Sequence, residues 1–259
     1  TLARCTAGLL GLQFQRIQST SDMLPGDILG VSVFDRDSNR FLFHPGPIFS
    51  QFVLVDEINR ASPKTQSGLL EAMTEGQVSL DRQVHPLPRP FFLIATQNPA
   101  ETAGTYPLPQ SQLDRFLMHI TLGPPSRRAE MELLQGRDRS RMIRDLEPLF
   151  TPESITGMQY HLEQMHVSEP IHRYILDLVQ HTRQSGDYWT GLSPRGGLDL
   201  LRSSKAWAFI QGRDYVLPED VQSVAPWVAA HRLQLREAGE QRTDLVAHLQ
   251  NRIKQIPIP

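Results

Sequence analysis

Lysine is scarce in this 259-residue chain, occurring only at Lys64, Lys205 and Lys254. None of the three follows a glycine, so no G-x-x-x-x-G-K-[ST] phosphate loop occurs anywhere in the sequence. Cysteine is scarcer still: Cys5 stands alone, which excludes an internal disulfide and is the usage expected of a reducing, cytoplasmic setting. No apolar run approaches the ~18 residues that a membrane-spanning helix needs, and the first residues carry no signal-peptide pattern. Neither sign of charge dominates, and a net charge of −2 gives no electrostatic case for nucleic acid. The nine histidines show no metal-ligand spacing of the H-E-x-x-H kind, so they are expected mostly on helix surfaces and no zinc site is expected. What is present, 39% hydrophobic and 21% charged residues, describes an ordinary globular chain. Its length suits two domains of unequal size.

The most informative stretch is Phe52-Val53-Leu54-Val55-Asp56-Glu57. A run this apolar is expected as a strand covered on both faces of a parallel sheet, and such sheets place ligands beyond the carboxyl ends of their strands. Asp56 and Glu57 follow at that end in the pattern of a Walker B motif. Asp56 suits Mg²⁺ and Glu57 suits polarising a water. The competing reading is an acidic opening to the next helix, favoured by the helix dipole.

Around this strand the patterning alternates between strands and helices. Leu12–Ile17 alternates like a strand, and Asp22–Leu29 reads as a short helical segment with a Pro-Gly break. Val31–Phe34 and Phe41–Phe43 flank a turn-rich stretch and predict a hairpin; Gln77–Leu80 and Val84–Leu87 predict a second around Asp81-Arg82-Gln83. Ser62-Pro63 offers a helix N-cap and first residue, with Leu69, Leu70 and Met73 on one face. Phe91–Ala95 reads as another doubly buried strand and Leu117–Ile120 as a further short one. Gly123-Pro124-Pro125-Ser126 marks a boundary, since consecutive prolines continue neither a helix nor a central strand. It divides an α/β core, residues 1–124, from a small all-α lid, residues 125–259, whose helices run from Arg127 to Arg236 and include a start at Pro218-Glu219-Asp220. Ile256-Pro257-Ile258-Pro259 reads as an extended tail.

Three more segments carry candidate chemistry. Thr96-Gln97-Asn98-Pro99 follows the strand ending at Ala95. If that strand lies parallel to Phe52–Asp56, Asn98 falls beside Glu57, where its amide could hold an attacking water; an Asn-Pro turn is the plainer alternative. Arg115 in Leu113-Asp114-Arg115-Phe116 could reach across a subunit boundary as an arginine finger, or simply pair with Asp114. In Gly191-Leu192-Ser193-Pro194-Arg195-Gly196, Ser193 and Pro194 open a helix with Arg195 in its first turn. A cation there opposes the dipole at a cost of ~0.3–1 kcal/mol, which makes sense if Arg195 shares an anion with the helix end. A solvated surface arginine is the alternative.

The stretch from Asp22 to Ile120 resembles the MoxR subfamily of AAA+ ATPases. The resemblance is carried by Gly46-Pro47-Ile48-Phe49, Asp56-Glu57-Ile58-Asn59-Arg60, Pro63-Lys64-Thr65-Gln66, Ala95-Thr96-Gln97-Asn98-Pro99, Gly104-Thr105-Tyr106-Pro107-Leu108-Pro109 and Gln112-Leu113-Asp114-Arg115-Phe116. Ser193-Pro194-Arg195 and Gly212-Arg213-Asp214-Tyr215-Val216 extend it through the lid. It implies a P-loop NTPase fold with a parallel sheet and helical lid, ATP and Mg²⁺ as cofactors, and hydrolysis in a homo-oligomeric ring, expected as a hexamer. Implied roles are Walker B at Asp56 and Glu57, sensor 1 at Asn98, arginine finger at Arg115 and sensor 2 at Arg195. The 31–43 hairpin resembles the helix-2 insert of this clade and the 77–87 hairpin its pre-sensor-1 hairpin. The resemblance implies a chaperone-like motor with a client protein and a von Willebrand factor A-domain partner. A non-hydrolysing scaffold or a magnesium-chelatase-type subunit is the alternative. One departure stands out: the family's phosphate loop and the central strand before it are expected upstream of Thr1, making this chain a truncated, inactive piece of a working ATPase.

Overall fold

A computed structural model of the chain describes residues 1–98, 104–135, 146–236 and 245–258. Pro99, Pro259 and residues 136–145 of the expected helical stretch lie outside them. Packing divides the chain into two units, Thr1–Leu108 with Pro124–Gly157, and Pro109–Gly123 with Met158–Pro259.

The first unit opens with helix α1 (Leu2–Leu9) and strand β1 (Phe14–Gln18), followed by α2 (Pro25–Leu29) and the antiparallel hairpin β2 (Gly30–Asp35) and β3 (Arg40–Pro45). Then come β4 (Phe52–Asp56), a 3-10 turn at Ile58–Arg60, α3 (Pro63–Glu75), the hairpin β5 (Gln77–Leu80) and β6 (Gln83–Pro86), and β7 (Phe92–Ala95). Strands β1, β4 and β7 form a parallel sheet in that order. β4 holds the centre because its apolar run can be covered on both faces: Phe52, Val53 and Val55 are fully buried. Each such side chain contributes roughly 1.5–3 kcal/mol. Ala3 and Ala7 let α1 lie close against Phe52 and Leu54.

Two sequence expectations need correction. β7 is a strand but not doubly buried here: among the described residues it pairs with β4 alone, and Phe92 is 48% exposed. Leu117–Ile120 is not a strand. Its backbone is held by helical neighbours in the second unit, with His119 N–H donating to Trp227 O at 2.9 Å and Leu117 O accepting from Arg232 at 3.1 Å. No sheet edge among the described residues takes it up.

Local chemistry explains the turns. Ser62 caps α3 through Thr65 N–H at 3.3 Å, with Pro63 at the first helical position. Asp81 and Arg82 both take positive φ, 51° and 64°, the backbone of a two-residue type I′ hairpin turn. Gly46 crosses the end of α2 so closely that a Cβ would strike Ile28 O and the N–H of Gly30. The β2–β3 hairpin leaves Val31, Val33, Phe34, Phe41 and Leu42 exposed, with the Phe34 and Phe41 rings edge to face at 5.3 Å.

Next in chain order are α4 (Gln110–Leu113), in the second unit, and α5 (Arg127–Leu134), in the first; α6 (Pro152–Gln164) begins in the first unit and ends in the second. The second unit continues with α7 (Glu169–Gln184), α8 (Pro194–Ile210), α9 (Pro218–Ala229) running into a 3-10 turn at Ala230–Arg232, and α10 (Leu245–Ile253). Its core is apolar side chains at helical spacing, as in Val221, Val224, Ala225, Val228 and Ala229 of α9. Asp220 fixes the start of α9, accepting from Leu217 N–H at 2.8 Å and from both terminal nitrogens of Arg213 at 2.5 and 2.6 Å. That pairing holds the Arg213 guanidinium above its ordinary pKa. Among the described residues no helix is long and apolar enough to cross a membrane.

Gly46→Ala should destabilise the first unit by about 1–3 kcal/mol, because backbone atoms, unlike a flexible side-chain tip, must move. An unchanged urea midpoint would show that the crossing has room to spare.

Candidate active site

Parallel pairing brings three strand ends to one edge. Gln18 lies opposite Asp56, and Val55 opposite Ala95, so Gln18, Asp56-Glu57 and Thr96-Gln97-Asn98 all emerge together. Thr96 clamps the acid pair. Its hydroxyl donates to Asp56 Oδ1 at 3.1 Å and accepts from Glu57 N–H at 3.0 Å, while its carbonyl accepts from Ile58 N–H at 3.0 Å. Glu57 thereby stands in left-handed backbone, φ 54° and ψ 50°, a conformation uncommon for a side chain of this kind. Strain of that sort persists where surroundings over-determine it, and functional sites are where it gathers.

The two carboxylates are partly open to solvent and pair with partly exposed arginines. Asp56 Oδ2 accepts from Arg16 Nε at 2.6 Å, and Glu57 Oε2 accepts from Arg60 at 3.1 Å and from Gln18 Nε2 at 3.2 Å. Arg16 is 61% exposed, so its pair with Asp56 is weak enough to yield to a stronger cation. Asn98 is half-buried beyond β7 at the same edge. Below the acids, buried Gln66 donates to Ile58 O at 3.1 Å, Ala61 O at 3.1 Å and Tyr106 O at 3.0 Å, tying the turn after Glu57 to the segment that leads into α4. Neither Thr96 nor Gln66 was singled out from sequence, although both lie inside the conspicuous motifs.

Arg115 and Arg195 belong to the second unit. Arg115 is half-buried just after α4, and Arg195 is exposed in the first turn of α8, where Ser193 Oγ accepts from Gly196 N–H at 3.1 Å. Among the described residues neither guanidinium forms an ion pair. Asp114 does not pair with Arg115; it binds Arg232 at 2.9 Å and Ser193 Oγ at 2.9 and 3.0 Å. Gly191 lets the preceding loop press against the backbone of Arg183. Arg232 sits in no recognisable motif, and only the fold reveals it.

Burial also sets proton affinities in this unit. Burial pushes the Asp199 carboxyl up, against the pull of Arg232. Burial, reinforced by the Arg232 charge, pushes His231 down to about 4. His231 Nε2 lies 2.9 Å from Phe116 O, so this histidine is a packed, neutral one, an exception among nine that were expected mostly, not all, on surfaces.

A parallel sheet with acids and amides at its carboxyl edge, together with an all-helical unit opening one helix on Ser-Pro-Arg, defines the AAA+ fold with its helical lid. The family comparisons agree. Residues 1–118 match the ATPase family associated with various cellular activities (AAA), and residues 180–251 match the AAA lid domain. YeaC of Bacillus subtilis, an uncharacterized protein, is 42% identical over 99% of this chain and 81% of its own. Protein MoxR of Paracoccus denitrificans is 30% identical over 100% of this chain and 84% of its own. Chaperone MoxR1 of Mycobacterium tuberculosis is 38% identical over 88% of this chain and 63% of its own. A crystal structure of a Cytophaga hutchinsonii protein described as an ATPase superposes with a TM-score of 0.87 at 34% identity, covering 98% of this chain and 79% of that one. The chain belongs to the MoxR family of AAA+ ATPases.

Thr96→Val removes the clamp while keeping its shape. Destabilisation of about 1 kcal/mol is expected, the low end of the cost of an unmade hydrogen bond because the site is partly wet. Equal urea midpoints for variant and wild type would remove Thr96 from this role. For His231 the folded value of about 4 lies below the unfolded 6.5. As pH falls through that window the unfolded chain takes up a proton that folded His231 refuses. Stability is therefore lost on acidification, by up to about 1.4 kcal/mol per pH unit. His231→Gln should flatten the pH dependence of melting between pH 6.5 and 5; an identical slope would mean the ring titrates normally.

Proposed function

We propose that this chain is the catalytic and lid portion of an ATP-hydrolysing, chaperone-like remodelling motor. The observation that carries the reading is the Thr96-clamped Asp56–Glu57 pair at the carboxyl edge of the parallel sheet, with Glu57 held in left-handed backbone. The acid pair fits magnesium. Among the described residues no cluster of three His, Cys, Asp or Glu side chains forms a cage. A single carboxylate such as Asp56 suits Mg²⁺, which keeps most of its waters and takes its other ligands from phosphate. When bound, magnesium and ATP supply the charge-neutralised terminal phosphate.

The chain's own groups do the rest. Asp56 would hold the metal in place of its exposed partner Arg16. Glu57 accepts a hydrogen bond from the attacking water and polarises it, once released from Gln18 and Arg60. Asn98 orients that water. Arg195, at the amino end of α8, binds the nucleotide phosphates together with the helix dipole. Arg115 reaches the site of a neighbouring subunit and stabilises charge developing on the transferred group. This last role requires a ring, expected as a hexamer.

A protein client is supported by the exposed apolar side chains of the β2–β3 hairpin, where Val33 pairs with Leu42 on one face and Phe34 with Phe41 on the other, since clustered exposed apolar groups mark interaction sites. The Mycobacterium tuberculosis relative is named a chaperone, which points the same way. A von Willebrand factor A-domain partner is carried over from the family resemblance alone.

The test uses the full-length protein. Glu57→Gln should retain nucleotide binding while steady-state turnover falls about 10²-fold or more. Undiminished hydrolysis in that variant removes Glu57 as the activating base. A wild type with only background hydrolysis supports the scaffold reading instead. Asp56→Asn should raise the Mg²⁺ concentration needed for half-maximal binding of an ATP analogue; unaltered magnesium dependence argues against Asp56 as a ligand.

A further inference from the structure

Arg232 is 1% exposed, yet its guanidinium is engaged on every side. It donates to Asp114 Oδ1 at 2.9 Å, Asp114 O at 3.2 Å, Phe116 O at 2.7 Å, Leu117 O at 3.1 Å, Val228 O at 2.6 Å and Asp199 Oδ2 at 2.5 Å. The rigid five-donor fork of arginine makes such a node possible, and a lysine could not reproduce it. Three segments meet there: the stretch after α4, the body of α8 and the end of α9. Asp114 carries the connection further. Both of its carboxylate oxygens accept from Ser193 Oγ, at 3.0 and 2.9 Å, and that hydroxyl also caps α8 at Gly196 N–H.

Arg115 directly follows Asp114, and Arg195 lies two residues beyond Ser193. We infer that Arg232, Asp114 and Ser193 form a positioning frame that holds Arg115 and Arg195 at a fixed separation within the second unit. Capture of phosphate by Arg195 then sets the position of Arg115 in the same movement. Nucleotide binding in one subunit is thereby coupled to completion of its neighbour's site. This inference rests on the roles proposed above for the two arginines. None of the three framing residues touches nucleotide; each acts through the backbone it restrains.

A purely structural cluster would stabilise the unit without affecting catalysis, and the two cases separate experimentally. In the full-length protein, Ser193→Ala removes the link and one N-cap while leaving the Arg232 cluster intact. Its melting temperature should drop by about 2–4 °C. Turnover should fall about tenfold and the dissociation constant for a fluorescent ATP analogue should rise several-fold, with Ser193→Thr restoring both. Residues acting as one unit are non-additive. Arg115→Ala should therefore cost at most a third as much turnover in the Ser193→Ala background as in wild type. If Ser193→Ala loses its cooperative melt, Asp114→Asn is measured in its place with the same expectations. An active wild type in which the substitution lowers only the melting temperature, or in which the two effects multiply independently, overturns the frame and leaves the ATPase reading standing. A wild type without ATPase activity overturns both.

Discussion

Parallel pairing of β4 with a strand on each side is the constraint from which the candidate site follows. Register does the positioning: with Phe14 opposite Phe52 and Phe52 opposite Phe92, the three strands must end at nearly the same height. Gln18, the acid pair and Thr96 then have no choice but to share an edge. A one-residue slip would turn every side chain of β4 over and carry Asp56 away from Thr96. Full burial of Phe52, Val53 and Val55 makes such a slip costly, so hydrophobic packing sets the geometry of the polar groups above it.

The second unit solves a different problem with an opposite material. Its helices pack through apolar side chains, yet the stretch carrying Arg115 has no sheet to join and is secured by a buried cation. Burying Arg232 is tolerable only because its donors find acceptors, two of them the carboxylates of Asp114 and Asp199. The same satisfaction explains why Asp199 and His231 have displaced proton affinities: both are deep in the unit and close to that fixed positive charge. A buried, fully bonded node suits the role proposed for this unit, the presentation of two guanidinium groups in defined places. The acid pair, by contrast, carries exposed and exchangeable partners in Arg16 and Arg60, as expected of groups that take up a ligand.

Much of this was legible in the residues. Period and length identified β4, both hairpins, the Ser62-Pro63 and Ser193-Pro194 helix starts and the Pro218 start, because caps and turns are local chemistry. The short Leu117–Ile120 run misled, since an apolar stretch of four residues becomes a strand only where an edge accepts it, and here helices supplied its hydrogen bonds. Phe91–Ala95 reads the same as β4 in composition, but among the described residues only β4 flanks it, and its side chains stay half open. The histidines were expected mostly on surfaces and none is fully buried, but nothing in their spacing picked out His231 as the one packed against Phe116 O.

By itself the sequence determined the element types, the acid pair at the end of an apolar strand and, through motif order, the family. Tertiary structure alone decided that Thr96 clamps that pair, that Gln66 ties the turn below it and that Asp114 joins Arg232 and Ser193 in place of the adjacent Arg115. The reason is distance along the chain. Caps and turns act over three or four residues, so their partners are written next to one another. The clamp spans 40 residues and the Arg232 contact to Asp114 spans 118, and nothing in a linear pattern says which of many polar side chains will meet across such separations.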